Sequence, residues 1–384
     1  MEDRRSGRWS GKERLDGTTT SRRRFLETTA GAGAAALLGA ACGGGEDSPD
    51  ALDAAGDGPG DGADVLDVPE AGTFDDIPQG RVVLVRAATP AAAVARGIAL
   101  MNGLTFIRPG QSVLLKPNMT GPIPPPDTTS CAVLAELIRQ CNAAGAGEVI
   151  VAERTFGPLH TVDVFDWPLC DEGSRSMREV IEEAGAVFRP LDDEPWDEVS
   201  PAGAVDFDEP ILVPRILTEV DHFINVPALK THNIAVFTMS LKNLFGFVHP
   251  DTRNGIVHGD PRNADDPARE KRMFAQMNLC FHPVLNVMDG ILARTTGGPT
   301  PPGDEAETNM VLFSKDRVAL DAVGLAVLRQ VGTEFNIESR PVWEQIQLAE
   351  AIRVGIGVRG PDEVELVGEG IDELAEIEAH LRTV

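Results

Sequence analysis

The chain has 384 residues, 42% of them hydrophobic and 24% charged, and a formal net charge of −26. That length buries a sizeable core in one large or two ordinary domains, and the composition is that of a globular protein. The acidic balance offers no basic stripe for phosphates and argues against nucleic acid as a partner, while local cations inside an acidic protein still suit a small anion.

In chain order, the first element reads as an export signal. Ser21-Arg22-Arg23-Arg24-Phe25-Leu26 has the twin-arginine pattern SRRxFL, and an apolar run from Ala30 to Ala41 follows. A run of about 12 residues is too short to span a bilayer and fits the apolar region of a signal peptide. Residues 1–41 are therefore expected to be a signal for the twin-arginine (Tat) export machinery. Cys42 and three glycines come next, which resembles a lipoprotein cleavage site with Gly39 where Leu is usual. Lipid on Cys42, anchoring the protein to a membrane, and plain cleavage are the two alternatives. Gly43 to Gly80 holds eleven acids and no base. Such a stretch cannot bury enough apolar surface to fold, so 42–80 reads as an extended, disordered tether. The expected location is the periplasm or cell surface.

The folded part is expected from Arg81 to the end. RVVLVRA (81–87) predicts a strand and Ala91–Met101 a helix. SVLLKPN (112–118) is a second strand. Thr128 or Thr129 caps a helix whose Val133, Leu134, Leu137, Ile138 and Cys141 share one face, with Gly145 ending it. EVIVAER (148–154) is a strand, Met177–Ala184 a helix, AVFRPL extended, and HFINVP a strand. Asn233–Leu244 and Ala268–Leu279 read as helices. VLNVMDG and MVLFSKD are strands, Val318–Gln330 and Val342–Ile352 helices, EVELVG a strand, and Leu374–Leu381 a closing helix. Cys131 and Cys141 on one helix lie about 15 Å apart, too far for a mutual bridge. Free thiols are the default for Cys131, Cys141, Cys170 and Cys280, with a bridge to Cys170 open in an oxidising compartment. No CxxC spacing is present, so nothing here marks an iron–sulfur or zinc site, and cofactor and metal stay open.

Continuous apolar strands separated by helices predict an α/β fold with a largely parallel central sheet and helices on both faces. Ligands of such sheets bind beyond the carboxyl ends of the strands. Polar residues collect there. Lys116 and Asn118 follow one strand, Glu153 another, Asn225, Lys230 and His232 a third, and Asp289 and Lys315 two more. The chain has six lysines against 28 arginines, yet Lys116, Lys230 and Lys242 all sit among apolar residues. Where Arg is the default cation, an embedded Lys indicates a site that wants a compact ammonium.

Seven motifs then match one family in order. KPN (116–118), GAGEVIVAE (145–153), NVPALKTH (225–232), SLKNLFG (240–246), HG (258–259), MDG (288–290) and DRVALDAVG (316–324) together resemble the domain-of-unknown-function 362 (DUF362) proteins over roughly Val82–Val367. The resemblance implies no established chemistry. Some relatives carry a ferredoxin-like CxxCxxCxxxC segment that this chain lacks.

The residues themselves support a Lys/His-lined cleft. Lys230, His232 and Lys242 are the candidate catalytic groups. Lys116, Asn118, Glu153, Asn243, His258, Asp289 and Asp321 are candidate binding groups. Crowded lysines repel one another, so a carboxylate or an anionic ligand must relieve them, and a crowded lysine titrates low enough to serve as base or nucleophile. Asp316 reads instead as a helix N-cap. Two functions remain open: an enzyme acting on an anionic small molecule, or a non-catalytic binding or cofactor- and metal-assembly protein. No GxSxG, Walker loop or GxGxxG supports a serine hydrolase, an NTPase or a dinucleotide oxidoreductase. Lys230 and Lys242 are expected to be the closest pair of cations, joined by a non-helical turn at Thr231–Ile234 and then the helix.

Overall fold

A computed structural model describes residues 72–170 and 173–383. The expected signal sequence, Cys42 and the expected tether as far as residue 71 lie outside the described residues. The fold starts ahead of Arg81: Phe74 and Ile77 are already buried beneath the first strand, and Phe74 packs on Phe106.

Fourteen strands are described. They are β1 (Arg81–Arg86), β2 (Ser112–Pro117), β3 (Glu148–Glu153), β4 (Pro168–Cys170), β5 (Arg175–Ser176), β6 (Val187–Pro190) and β7 (Trp196–Val199). After them come β8 (Ile211–Pro214), β9 (His222–Val226), β10 (Ala228–His232), β11 (Val236–Phe237), β12 (Leu285–Arg294), β13 (Glu305–Ser314) and β14 (Glu365–Glu369). The main sheet runs β14-β1-β13-β12-β9-β2-β3-β6, with β10 added beside the far half of β12. All its pairings are parallel except those of β13 with β1 and β12 and that of β10 with β11. The expected α/β architecture with a largely parallel sheet is the one observed.

Period-two alternation decides what each face packs. Val83 and Val85 of β1 join α1 (Pro90–Leu100) and α2 (Cys131–Ala143) in one core. Val82 and Leu84 join the long helix Arg317–Val331 in another. A third cluster packs Leu114, Ile150 and Phe223 against Leu244, Phe245, Phe247 and Phe274. That third core underlies the candidate cleft.

Two expectations are corrected, and of the two readings left open for the cysteines the bridge to Cys170 is the one observed. Asn233–Leu244 is not one helix. The chain turns at 233–235, pairs back as β11 on β10, and only Met239–Asn243 is α-helical. His232 Nδ1 accepts from the backbone N–H groups of Ile234 and Ala235, and Thr238 N–H donates to Lys230 O. Those donors are thereby taken from any helix, and pairing of β10 with β12 overrides local propensity. The cap of α2 is Ser130, not Thr128 or Thr129, because both threonines are drawn into other bonds. Cys131 and Cys170 are bridged, with Cα atoms 5.8 Å apart, while Cys141 and Cys280 are free. The β7–β8 hairpin and a π-helical turn at Thr252–His258 carry no periodic signal and were not legible in the sequence. No helix among the described residues is long and apolar enough to cross a membrane.

Candidate functional site

Parallel neighbours β2 and β3 carry Lys116 and Glu153 within their last two residues, so the two side chains meet at the carboxyl edge of the sheet. Lys116 Nζ lies 2.7 Å from Glu153 Oε2, and both are almost fully buried. Burial pushes the Lys116 ammonium down and the Glu153 carboxyl up, and each opposes the shift of the other. The 3-10 turn Leu244–Phe247 crosses directly over this pair. A Cβ on Gly246 would come within 2.1 Å of Glu153 Oε1 and 2.7 Å of Lys116 Nζ. Glycine in the LFG motif is thus a matter of space.

The helices α3 (Thr161–Phe165) and α4 (Met177–Glu183) come next in the chain, and after them α5 (Met239–Asn243) carries Lys242 into this edge. α5 is too short to hold itself. Asp321, from the long helix α6 (Arg317–Val331), accepts from the N–H groups of Ser240 and Leu241 at 2.7 and 2.9 Å. Burial raises the Asp321 carboxyl to about 7, against those two bonds. Buried asparagines hold the other end. Asn243 donates to Asn225 Oδ1 at 2.8 Å, and Asn225 donates to Asn286 and to Ser240 O.

A cavity of about 160 Å³ opens above these groups. Lys116, Asn118, Glu153, His232, Lys242, Asn243 and His258 all line it. Lys230 is not among its lining residues. Its ammonium sits behind the wall and donates to Asp127 O at 2.8 Å. Asp127 itself is clamped by Arg294. Asp289 and Asp321 also stay off the cavity wall. Asp289 accepts from the N–H and hydroxyl of Ser130 at the start of α2, and Asp321 caps α5. Lys116, not Lys230, therefore shares the cavity with Lys242.

The electrostatics are lopsided. Lys242 Nζ lies over the rings of Phe245 and Phe274, at 4.8 and 4.5 Å from their centroids. Among the described residues it has no carboxylate within ion-pair distance and no hydrogen-bond acceptor. Burial, then Lys230 behind it, lowers its ammonium to about 7, while Lys230 itself falls to about 8. Arg253, from the π-helical turn, is 3% exposed, and its Nε has no partner. Burial lowers it to about 10. Thr238 Oγ1 is likewise buried and unpartnered. All three line the same cavity.

The two cavity histidines are held in opposite ways. His232 Nδ1 accepts two backbone N–H bonds, so its proton sits on Nε2. Burial and then the Lys242 and Lys230 charges push its pKa well below the usual value, which keeps it neutral. His258 Nδ1 is hydrogen-bonded to the Glu270 carboxylate, and in the neutral ring that bond puts the proton on Nδ1 and the lone pair on Nε2. Its ring stands edge-on to Phe245 at 5.1 Å. Sequence reasoning missed Arg253 and Glu270. Both sit in polar runs, DTRNG and AREKR, that look like solvated surface. Among the described residues no three His, Cys, Asp or Glu side chains gather as a metal-ligand set.

This is an α/β protein with a buried, cation-rich cleft at the carboxyl edge of its sheet. The chain belongs to the DUF362 family: the profile described as "Domain of unknown function (DUF362)" matches residues 113–326. It is similar to the thylakoid-associated protein sll1697 of Synechocystis sp., 29% identical over 230 residues, which is 58% of this chain and 65% of that protein. The match thus spans just under two thirds of the relative's length. Partial likenesses to solved structures include the lactate racemase apoprotein from Thermoanaerobacterium thermosaccharolyticum (TM-score 0.36, 14% identity, 57% of this chain and 52% of that one). A Thermotoga maritima protein is similar at TM-score 0.35 and 16% identity, over 53% of this chain and 50% of that one.

Proposed function

We propose that the cleft binds a small organic anion and acts on it by proton transfer. The observation that carries this reading is a pair of buried donors without internal acceptors, Arg253 Nε and Thr238 Oγ1, on one cavity with the Lys242 ammonium, which faces only the Phe245 and Phe274 rings. A buried donor left unpaired costs roughly 1–3 kcal/mol, more for a charged group, so a bound oxyanion is the natural partner. The Lys116–Glu153 pair beneath is already satisfied and serves as a neutral floor. His258, oriented by Glu270, offers a basic Nε2 and takes the proton. His232 presents an Nε2–H that donates to charge developing on the substrate.

Titration calorimetry with acetate, pyruvate and inorganic phosphate tests the anion reading. Binding of at least one is expected, and Lys242→Met should weaken it by about 10- to 100-fold, the range of a hydrogen bond to a charged group. No binding by any of the three, or an unchanged Lys242→Met, would sink the reading.

The same proposal places the protein outside the cytoplasm, exported through its twin-arginine sequence and held to a membrane by lipid on Cys42. The Cys131–Cys170 bridge supports an oxidising compartment. Lys at both Arg22 and Arg23 should leave the precursor in the cytoplasm, and Cys42→Ser should release a soluble exported form. Normal export of the first variant would count against the signal assignment.

A further inference from the structure

The walls of the cleft differ from its floor. Its unpaired donors are buried, but Phe156 and Ile234, on the same cavity, are 46% and 45% exposed. Half-buried Pro299 joins them and buried Met119 continues the apolar lining inward. Large apolar side chains left in water at a cavity mouth are informative where a scattered surface leucine is not. These two are also held in place. Phe156 N–H donates to Thr120 O at 3.0 Å, and Ile234 N–H donates to His232 Nδ1 at 3.1 Å. Phe156 further stands edge-on to the His258 ring, 6.1 Å between centroids. The apolar rim is thus tied to both histidines, through the Ile234 backbone at His232 and the Phe156 ring at His258. A polar metabolite bearing only charge would leave this rim in water.

We infer that the ligand is an amphiphilic anion. Its carboxylate or phosphate head sits at Lys242, Arg253 and Thr238, and an apolar group lies between Phe156, Ile234 and Pro299. This rests on the anion-binding reading above and names its substrate class. The order of the two regions sets the orientation: head inward, because only the inner donors lack acceptors, and apolar part outward, because only the mouth exposes apolar carbon. The arrangement also puts the first carbons beyond the head beside His232 and His258, which line the cavity with those donors. A preformed apolar wall spares the ligand the ordering cost of building one, so each methylene seated there adds affinity.

The test is a series of monomeric probes of one head group: inorganic phosphate, methyl phosphate, butyl phosphate and hexyl phosphate, with hexyl glucoside as a neutral control. Affinity for the full-length protein should rise along the series, by up to about threefold to fourfold for each methylene buried, and hexyl glucoside should not bind. Ser in place of both Phe156 and Ile234 should cut hexyl phosphate binding at least tenfold and leave inorganic phosphate unchanged. Both side chains are half exposed, so the fold tolerates the change, and matching melting temperatures confirm it. Lys242→Met should weaken every phosphate alike. Equal affinity for methyl and hexyl phosphate overturns the amphiphile inference and leaves anion binding standing. Failure of all four phosphates overturns the anion reading itself. Binding of hexyl glucoside as tightly as hexyl phosphate, or binding of anionic lipid vesicles with none of the monomeric series, also overturns the inference.

Discussion

Lys242 is a cation kept where no partner of its own is supplied. Its folded value of about 7 lies below the ordinary 10.5, so between those limits the unfolded chain holds a proton that the folded chain has lost. Stability therefore rises with pH across that window, and the cost of burying the charge is fully present below about pH 7. Lys242→Met should raise the melting temperature of the ligand-free protein at pH 6.5, by on the order of 1–2 kcal/mol of relief. The gain should shrink toward pH 10. A variant less stable than the parent at pH 6.5 would mean that the ammonium is satisfied. The same shift predicts proton uptake: an anion bound beside Lys242 raises its pKa again, so binding at pH 8 should take up close to one proton. Calorimetry in buffers of different ionisation enthalpy reads that number directly, and a value of zero at pH 8 would contradict it.

At the scale of elements, the site depends on pieces that cannot stand alone. α5 has five residues and is capped from outside by Asp321. Asp321→Ala strands two buried N–H groups and should cost about 2–4 kcal/mol by chemical denaturation, with anion binding lost in step because Lys242 rides on that helix. Asp321→Asn keeps one acceptor and should cost less. Equal losses for the two variants would show that the carboxylate's charge, not its hydrogen bonds, matters. The turn that crosses β2 and β3 has a different constraint. Gly246→Ala drives a methyl group into the Lys116–Glu153 pair, and parting a buried pair costs about 3–5 kcal/mol. Full retention of stability in Gly246→Ala would show that the turn has room to move. The β10–β11 turn carries strain of its own, since Val236 is β-branched and sits at φ 75°. Val236→Gly should be neutral or stabilising by up to about 1 kcal/mol in thermal unfolding, whereas an ordinary core valine would lose more than that.

Across the whole molecule, the Cys131–Cys170 bridge ties the start of α2 to strand β4, 39 residues on. Closing a loop of that length removes up to about 4 kcal/mol of unfolded-state entropy. Ser at both positions should lower stability by about 2–4 kcal/mol, and peptide mapping of the oxidised protein should recover this bridge, with buried Cys141 unalkylated until unfolding. Since neither Cys131 nor Cys170 lines the cavity, anion affinity should change little when the bridge is removed. A large loss of affinity would show that the bridge also positions the site.

Much of the fold was legible because it follows from local pattern. The apolar runs 81–87, 112–118, 148–154 and 222–226 became β1, β2, β3 and β9, and their carboxyl ends collected Lys116, Asn118 and Glu153 on one edge as parallel topology requires. Asp316 capped its helix as its position implied. Tertiary structure alone decided the rest. A helical-looking stretch after Lys230 became a hairpin because β12 offered a neighbour to pair with, and that turned Lys230 behind the wall while His232 stayed on it. Arg253 and Glu270 entered the site from runs that look like surface, and Asp289 and Asp321 left it to cap helices. Periodicity along a chain records which face of an element is buried; which buried polar groups end up paired depends on neighbours hundreds of residues or a whole sheet away.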